Sequence, residues 1–215
     1  MSDKYIFHYF KVNGRGVVAR AILSAMKADW TDHAFTREEW PSIKKSGLCE
    51  FEQAPVLEYK GKTYAQSMAI AFFLARKFNL MGKDDEENYA IESLMCCMED
   101  IFSAMFKFTH LPENEKDKYD ELRKVALERY KFFIKKIEER YIKHGKGKYF
   151  LGDRFTLCDI LVGAQLPAFC DRFGEQVVPQ VSPALTELIT RLTEGELKEF
   201  HEKYFFIEIF FMEFF

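Results

Sequence analysis

Apolar positions change their period partway along the chain. "KYIFHYF" (residues 4–10) is aromatic and β-branched enough for a strand, and in "GRGVVARAILSAMKA" the residues Val18, Ala21, Ile22, Ala25 and Met26 share one helical face. "DWTDHAF" (29–35) reads as a second strand, and "TREEWPSIKKSG" as a short helical or irregular stretch closed by Gly47. "APVLEYKGKTYA" gives two short strands about a Lys60-Gly61 turn, hence a hairpin, and the apolar helix around Met68, Ile70, Phe72, Phe73 and Leu74 follows. The predicted order is β-α-β-α-β-β-α over about eighty residues, a small-domain size.

Beyond residue 84 only helical spacing recurs. Ile91, Leu94, Met95, Met98, Ile101, Phe102 and Met105 repeat at three and four, predicting a long helix with one buried face. A second helix is expected to turn Leu122, Val125, Phe133 and Ile137 inward and to end at Gly145. "RFTLCDILVGAQL" opens a third: Thr156 and Asp159 have capping-box spacing, with Phe155 and Ile160 placed as a hydrophobic staple. "SPALTELITRL" supplies a fourth, with Pro183 close to its first turn. The expectation is an α+β unit at residues 1–80 and an all-helical unit at 81–215, joined by residues 79–85. The tail, with six phenylalanines in its last eleven residues, is too short and too charged to cross a bilayer. Packing on the helical unit, a lid over an apolar pocket and an aggregation-prone end all fit it.

Composition narrows the class. The 215 residues are 48% hydrophobic and 30% charged with a net charge of −3, and basic residues are dispersed, so neither nucleic acid nor an anionic membrane is an expected partner. No signal-peptide pattern or membrane-length apolar run is present, which predicts a cytoplasmic protein. The cysteines (Cys49, Cys96, Cys97, Cys158, Cys170) are odd in number without a CxxC, and the five histidines lack metal-ligand spacing. Reduced thiols and no metal are expected. Cys49 is predicted to be an inert loop thiol, because the adjacent Glu50 would raise its pKa.

Three places carry candidate chemistry. "NGRGVVA" satisfies G-x-G-x-x-A, the pattern of a dinucleotide site, but the hairpin after the second helix removes the doubly wound sheet that such a site needs. "QAP" (53–55) opens the third strand. Pro55 is either an ordinary edge proline or a cis proline whose turn presents Ala54's backbone to an extended peptide. "QS" (66–67) begins the apolar helix, either capping its orphan N–H groups or offering them, with the helix dipole, to a carboxylate or phosphate. Tyr9 ends the first strand beside the glycine-rich turn, as a packing residue or as a hydroxyl donor.

Taken together these segments resemble a cytosolic glutathione transferase, most closely the sigma class that includes prostaglandin D synthases and S-crystallins. "YFKVNGRG", "EEWPSIKK", "QAPVLEYKG", "QSMAIAFFLA" and "FLGDRFTLCDI" follow that family's motifs in order, over almost the whole chain. The resemblance implies a thioredoxin-like domain that binds glutathione as co-substrate, an α-helical domain that holds the second substrate, no other cofactor, and a homodimer. It implies that Tyr9 donates to the glutathione sulfur and that Arg15, Trp40 and Lys44 line the peptide's site. Gln53, Ala54 and Pro55 would hold the cysteinyl backbone, Gln66 and Ser67 the γ-glutamyl carboxylate, and Asp100 would reach across the dimer to the ammonium. Phe10, Val12, Met105 and Phe106 are expected around the electrophile. Asn13 and Val17 stand where the sigma pattern often has Arg and Glu, and Lys107 where a prostaglandin D synthase would offer Trp, which weighs against that activity. The implied function is conjugation of hydrophobic electrophiles in detoxification, with peroxidase or isomerase side activity. A non-catalytic carrier of hydrophobic ligands or an S-crystallin-like structural protein is the alternative.

Overall fold

The computed structural model describes residues 4–173 and 176–204; the phenylalanine-rich segment 205–215, and with it the three readings of the tail, lies outside them. Strands β1 (Tyr5–Phe10), β2 (Trp30–Phe35), β3 (Val56–Tyr59) and β4 (Lys62–Ala65) form one sheet in the order β2-β1-β3-β4. β1 runs parallel to β2 and antiparallel to β3, and β3 turns back on β4 through Lys60 and Gly61, both at positive φ. A left-handed pair is what a two-residue hairpin turn requires. This mixed sheet lacks the parallel extension of a dinucleotide fold, so the Gly14-Gly16-Ala19 pattern is freed from that reading.

A 3-10 turn (Gly14–Gly16) leads into α1 (Val17–Ala25); α2 (Trp40–Lys45) and α3 (Ser67–Lys77) complete the predicted order. Tyr5, Phe7 and Tyr9 of β1 join Val18, Ile22, Ile70 and Leu74 in the core, where α1 packs on α3. The remaining described elements are helical: α4 (Asp85–Thr109), a 3-10 turn (Glu113–Lys118), α5 (Tyr119–Lys143), α6 (Leu157–Ile160), a π segment (Leu161–Gln165), α7 (Leu166–Phe173), α8 (Val177–Val181), α9 (Pro183–Glu194) and α10 (Lys198–Tyr204). One apolar cluster runs through both the sheet and the helices.

α4 buries the predicted face, with Phe102 only partly covered. α5 is rotated from its expected setting. Val125 is 62% exposed, Leu122 and Phe133 are half-buried, and the inward face is Ala126, Leu127, Tyr130, Ile134, Ile137 and Tyr141. That stripe repeats at three and four residues just as well as the predicted one. It wins because the Tyr130 and Tyr141 hydroxyls reach the carbonyls of Leu166 (2.7 Å) and Gly147 (2.8 Å), so large rings can be buried without stranding their polar ends.

The capping box forms as its spacing predicts: Thr156 N–H and Oγ1–H donate to Asp159 Oδ2 at 2.8 and 3.0 Å. Asp159 Oδ1 also accepts from Phe150 N–H at 2.7 Å, tying the preceding loop to the helix start. The loop after α3 is tied in as well, since Leu157 N–H donates to Leu80 C=O at 2.9 Å. The π segment has no local sequence signature. His201 of α10 makes a 2.8 Å hydrogen bond to the carbonyl of Gly163 within it.

Candidate active site

The end of β1, the 3-10 turn and α1 set the position of Tyr9. Its side chain is buried, and its hydroxyl oxygen accepts the Arg15 N–H at 2.9 Å. The two glycines of the G-x-G pattern make room for this ring. A Cβ at Gly14, where φ is +33°, would lie 2.8 Å from the Tyr9 hydroxyl, and one at Gly16 would lie 2.6 Å from the ring carbon Cδ1. Neither separation is sterically allowed, so the motif serves the tyrosine rather than a pyrophosphate.

Beside the ring lies Arg20, 0% exposed, which the sequence reading passed over. Its guanidinium carbon is 5.6 Å from the Tyr9 ring centroid, and it bonds Asp32 of β2 at 3.1–3.3 Å. It also donates to the carbonyls of Phe10 (3.0 Å) and Val12, which straddle Lys11. A buried charge needs this many partners, and in finding them Arg20 fixes the chain that leaves Tyr9. An arginine inside an otherwise apolar helix face was the available signal.

Arg15 turns toward the helices. Its guanidinium meets the Glu99 carboxylate at 2.6–2.7 Å and covers the Phe102 ring at 4.5 Å, so the 3-10 turn is pinned to α4. Asp100, the adjacent α4 residue, is exposed. Trp40 stacks on Phe35 with centroids 5.6 Å apart and tilts against Phe10. Lys44 pairs with Glu52 at 3.2 Å.

The Ala54–Pro55 peptide bond is cis. Ala54 has no backbone hydrogen bond to another described residue. Gln66 has φ +70° and makes no side-chain cap on α3; its amide instead donates to Gln53 Oε1 at 3.3 Å. The simple capping reading of Gln66 is therefore corrected. Positive φ swings its side chain toward the cis-proline turn, leaving the first-turn N–H groups of α3 without that partner. Gln53, Gln66 and the helix start thus gather at one edge, while Ser67 sits half-buried at the first position of α3.

A small apolar cavity of about 40 Å³ opens between the Gly14–Val17 turn, the end of α4 and α7, lined by Gly14, Val17, Phe102, Met105, Phe106 and Phe169 among others. Of the residues expected around the electrophile, Met105 and Phe106 line this cavity. Phe10 and Val12 lie outside the lining: Phe10 packs edge-on to Phe35, and Val12 is half-buried against the core. Val17 and Phe102 take their place. Thr109 and His110 are its polar wall, and His110 stacks on Phe106 at 3.7 Å. Cys49 is 5% exposed, and burial pushes its thiol pKa up; desolvation, not the neighbouring Glu50, is the cause. Among the described residues no group of three or more His, Cys, Asp or Glu side chains is placed to hold a metal ion, and no helix is long and apolar enough to cross a membrane.

Known proteins resemble this chain in sequence and in fold. The family described as glutathione S-transferase, C-terminal domain, matches residues 99–203. Glutathione S-transferase A of Cavia porcellus is 33% identical over 162 residues, covering 75% of this chain and 73% of that protein. Glutathione S-transferase 2 of Manduca sexta is 34% identical, covering 74% and 75%. Among solved structures, a sigma class enzyme of Fasciola hepatica aligns with a TM-score of 0.76 at 27% identity, covering 93% and 96% of the two chains. A prostaglandin synthase D of Nilaparvata lugens aligns at 0.80 and 25% identity, covering 93% and 98%. With a third of its residues shared across three quarters of each chain, and the same sheet-then-helices architecture, this chain belongs to the glutathione S-transferase family.

Proposed function

We propose that this protein is a sigma-like glutathione S-transferase that joins the glutathione thiolate to hydrophobic electrophiles, with Tyr9 as the activating residue. The observation that supports the residue assignment is the Tyr9 hydroxyl held at 2.9 Å from the Arg15 N–H, against the turn whose Gly14 lines the apolar cavity. A hydroxyl whose oxygen accepts a hydrogen bond is polarised toward donating its own proton, and the accepted bond strengthens the donated one. A free thiol with a pKa near 8.5 is mostly protonated at neutral pH, and only its thiolate attacks electrophiles well. Lowering that pKa by about two units takes roughly 2.7 kcal/mol, which a charge-assisted hydrogen bond can supply.

The same reading extends to the other residues of the motifs. Ala54 beside the cis bond pairs with the cysteinyl backbone of glutathione, and Gln53 and Pro55 shape that edge. Gln66, Ser67 and the N–H groups at the start of α3 take the γ-glutamyl carboxylate, favoured by the helix dipole. Arg15, Trp40 and Lys44 border the tripeptide, and Asp100, exposed on α4, serves the ammonium of glutathione bound to a second copy of the chain. Residues 1–80 act as the glutathione-binding domain and 81–215 as the domain that completes the electrophile site. The protein works as a cytoplasmic homodimer in detoxification. Lys107, exposed on α4, favours general conjugation over prostaglandin D synthesis.

Turnover of a generic aromatic electrophile with glutathione, by the wild type and by Tyr9→Phe, tests the assignment. The variant should keep its fold and lose at least roughly tenfold in kcat/KM. Equal turnover would move the activating role to another group, and no turnover by either protein would favour a carrier or structural role.

A further inference from the structure

His8 and His33 sit opposite one another in the parallel register of β1 and β2, on the strand face that does not carry Tyr9. Twenty-five residues apart in sequence, they are brought together only by the sheet. Their Nδ1 atoms are 2.7 Å apart, and the other nitrogen of His8, Nε2, is 2.5 Å from Glu58 Oε1 on β3. His8 is buried, whereas His33 is exposed on the edge strand. We propose that this pair is a surface site for a borderline divalent transition metal (Zn²⁺, Ni²⁺ or Cu²⁺), held by the two Nδ1 atoms, with Glu58 as the carboxylate that orients His8.

The geometry suits two-point chelation. Imidazole nitrogens bind such metals at about 2.0–2.1 Å, so bond angles of about 90–110° at the metal need an N···N separation of about 2.9–3.4 Å. The pair has to open by only a few tenths of an ångström, and the exposed His33 ring can turn to allow it. Glu58 fixes the tautomer: a carboxylate at Nε2 keeps the His8 proton there and presents Nδ1 as a lone pair. A carboxylate behind a ligating histidine is the usual arrangement for aiming the ring and raising its basicity. In the metal-free protein the same lone pair accepts His33 Nδ1–H, which accounts for the short contact. Binding then moves the His33 proton to Nε2. Because no third protein ligand joins among the described residues, water completes the shell. Two imidazoles with water favour Cu²⁺, Ni²⁺ and Zn²⁺ over Ca²⁺ and Mg²⁺.

Titration of the full chain with NiCl₂ alone, followed calorimetrically at pH 7.5 beside His33→Ala and His33→Gln, tests this. Removing the exposed ring leaves the core intact, and a lost site raises the apparent Kd at least tenfold in both variants. Glu58→Gln, which keeps the hydrogen bond but not the charge, should weaken binding by a smaller factor. Both imidazoles must be unprotonated to bind, so wild-type affinity should weaken on acidification. Nickel binding of equal strength in wild type and both His33 variants would place the metal elsewhere and overturn the proposal. Absence of binding to the wild type would equally overturn it, leaving a hydrogen-bonded pair.

Discussion

Tyr9 is held by residues chosen for what they lack as much as for what they offer. Gly16 has no Cβ, and adding one would place it 2.6 Å from the tyrosine ring carbon, with the 3-10 turn already fixed through Arg15 and Glu99. Gly16→Ala should therefore displace the ring, destabilise the protein by about 1–3 kcal/mol and reduce kcat at least tenfold. Gly61→Ala, at a hairpin turn with nothing near its Cβ, should lower stability through its positive φ while leaving kcat unchanged. Denaturation midpoints and steady-state kinetics on the two variants separate these effects; a Gly16→Ala enzyme with normal kcat would contradict the packing argument. The residues of the candidate site were legible in the sequence as far as Tyr9, the glycines, Pro55 and the Gln66-Ser67 pair lie in short ordered motifs. Arg20 and the His8–His33 pair were not, since their partners are chosen by strand register and by tertiary burial, which spacing does not encode.

At the scale of elements, the capping box before α6 shows how one carboxylate can join two segments. Burial pushes Asp159 up to about 6 from the 3.8 of an unperturbed Asp, while hydrogen bonds from Phe150 and Thr156 pull the other way. A carboxyl whose pKa is raised on folding binds its proton more readily in the native state. Its contribution to stability is thus largest below about pH 4, declines as pH rises to about 6 and is flat above. The span of about two units amounts to roughly 3 kcal/mol. Thermal or urea unfolding of wild type and Asp159→Asn from pH 4 to 7 should show the wild-type advantage shrinking over that range. An advantage that grows with pH would mean that the hydrogen bonds outweigh burial. The box itself could be read from the sequence because Thr156 and Asp159 act locally. The facing of α5 could not, because Val125 and Ala126 offer equally periodic stripes, and only the carbonyls that receive the Tyr130 and Tyr141 hydroxyls decide between them. Within the π segment Gly163 packs closely, and a Cβ there would lie 2.5 Å from Leu197.

For the whole molecule, the Arg15–Glu99 ion pair couples the turn after β1 to the helix that bears Asp100. The proposed dimer brings Asp100 to the partner's glutathione. Sedimentation should accordingly find a species of twice the 25.4 kDa chain mass, and Asp100→Asn should raise KM for glutathione severalfold with a smaller change in kcat. An active monomer, or an unchanged KM, would remove Asp100 from the site. The central claim is chemical, that the protein holds glutathione as a thiolate through Tyr9. The most direct test is the pH titration of bound glutathione by thiolate ultraviolet absorbance, in the wild type and in Tyr9→Phe. The account predicts a wild-type thiol pKa about two units below the free value and a return toward about 8.5 in the variant. A bound thiol that titrates like free glutathione in the wild type, or equally low in both proteins, would contradict it.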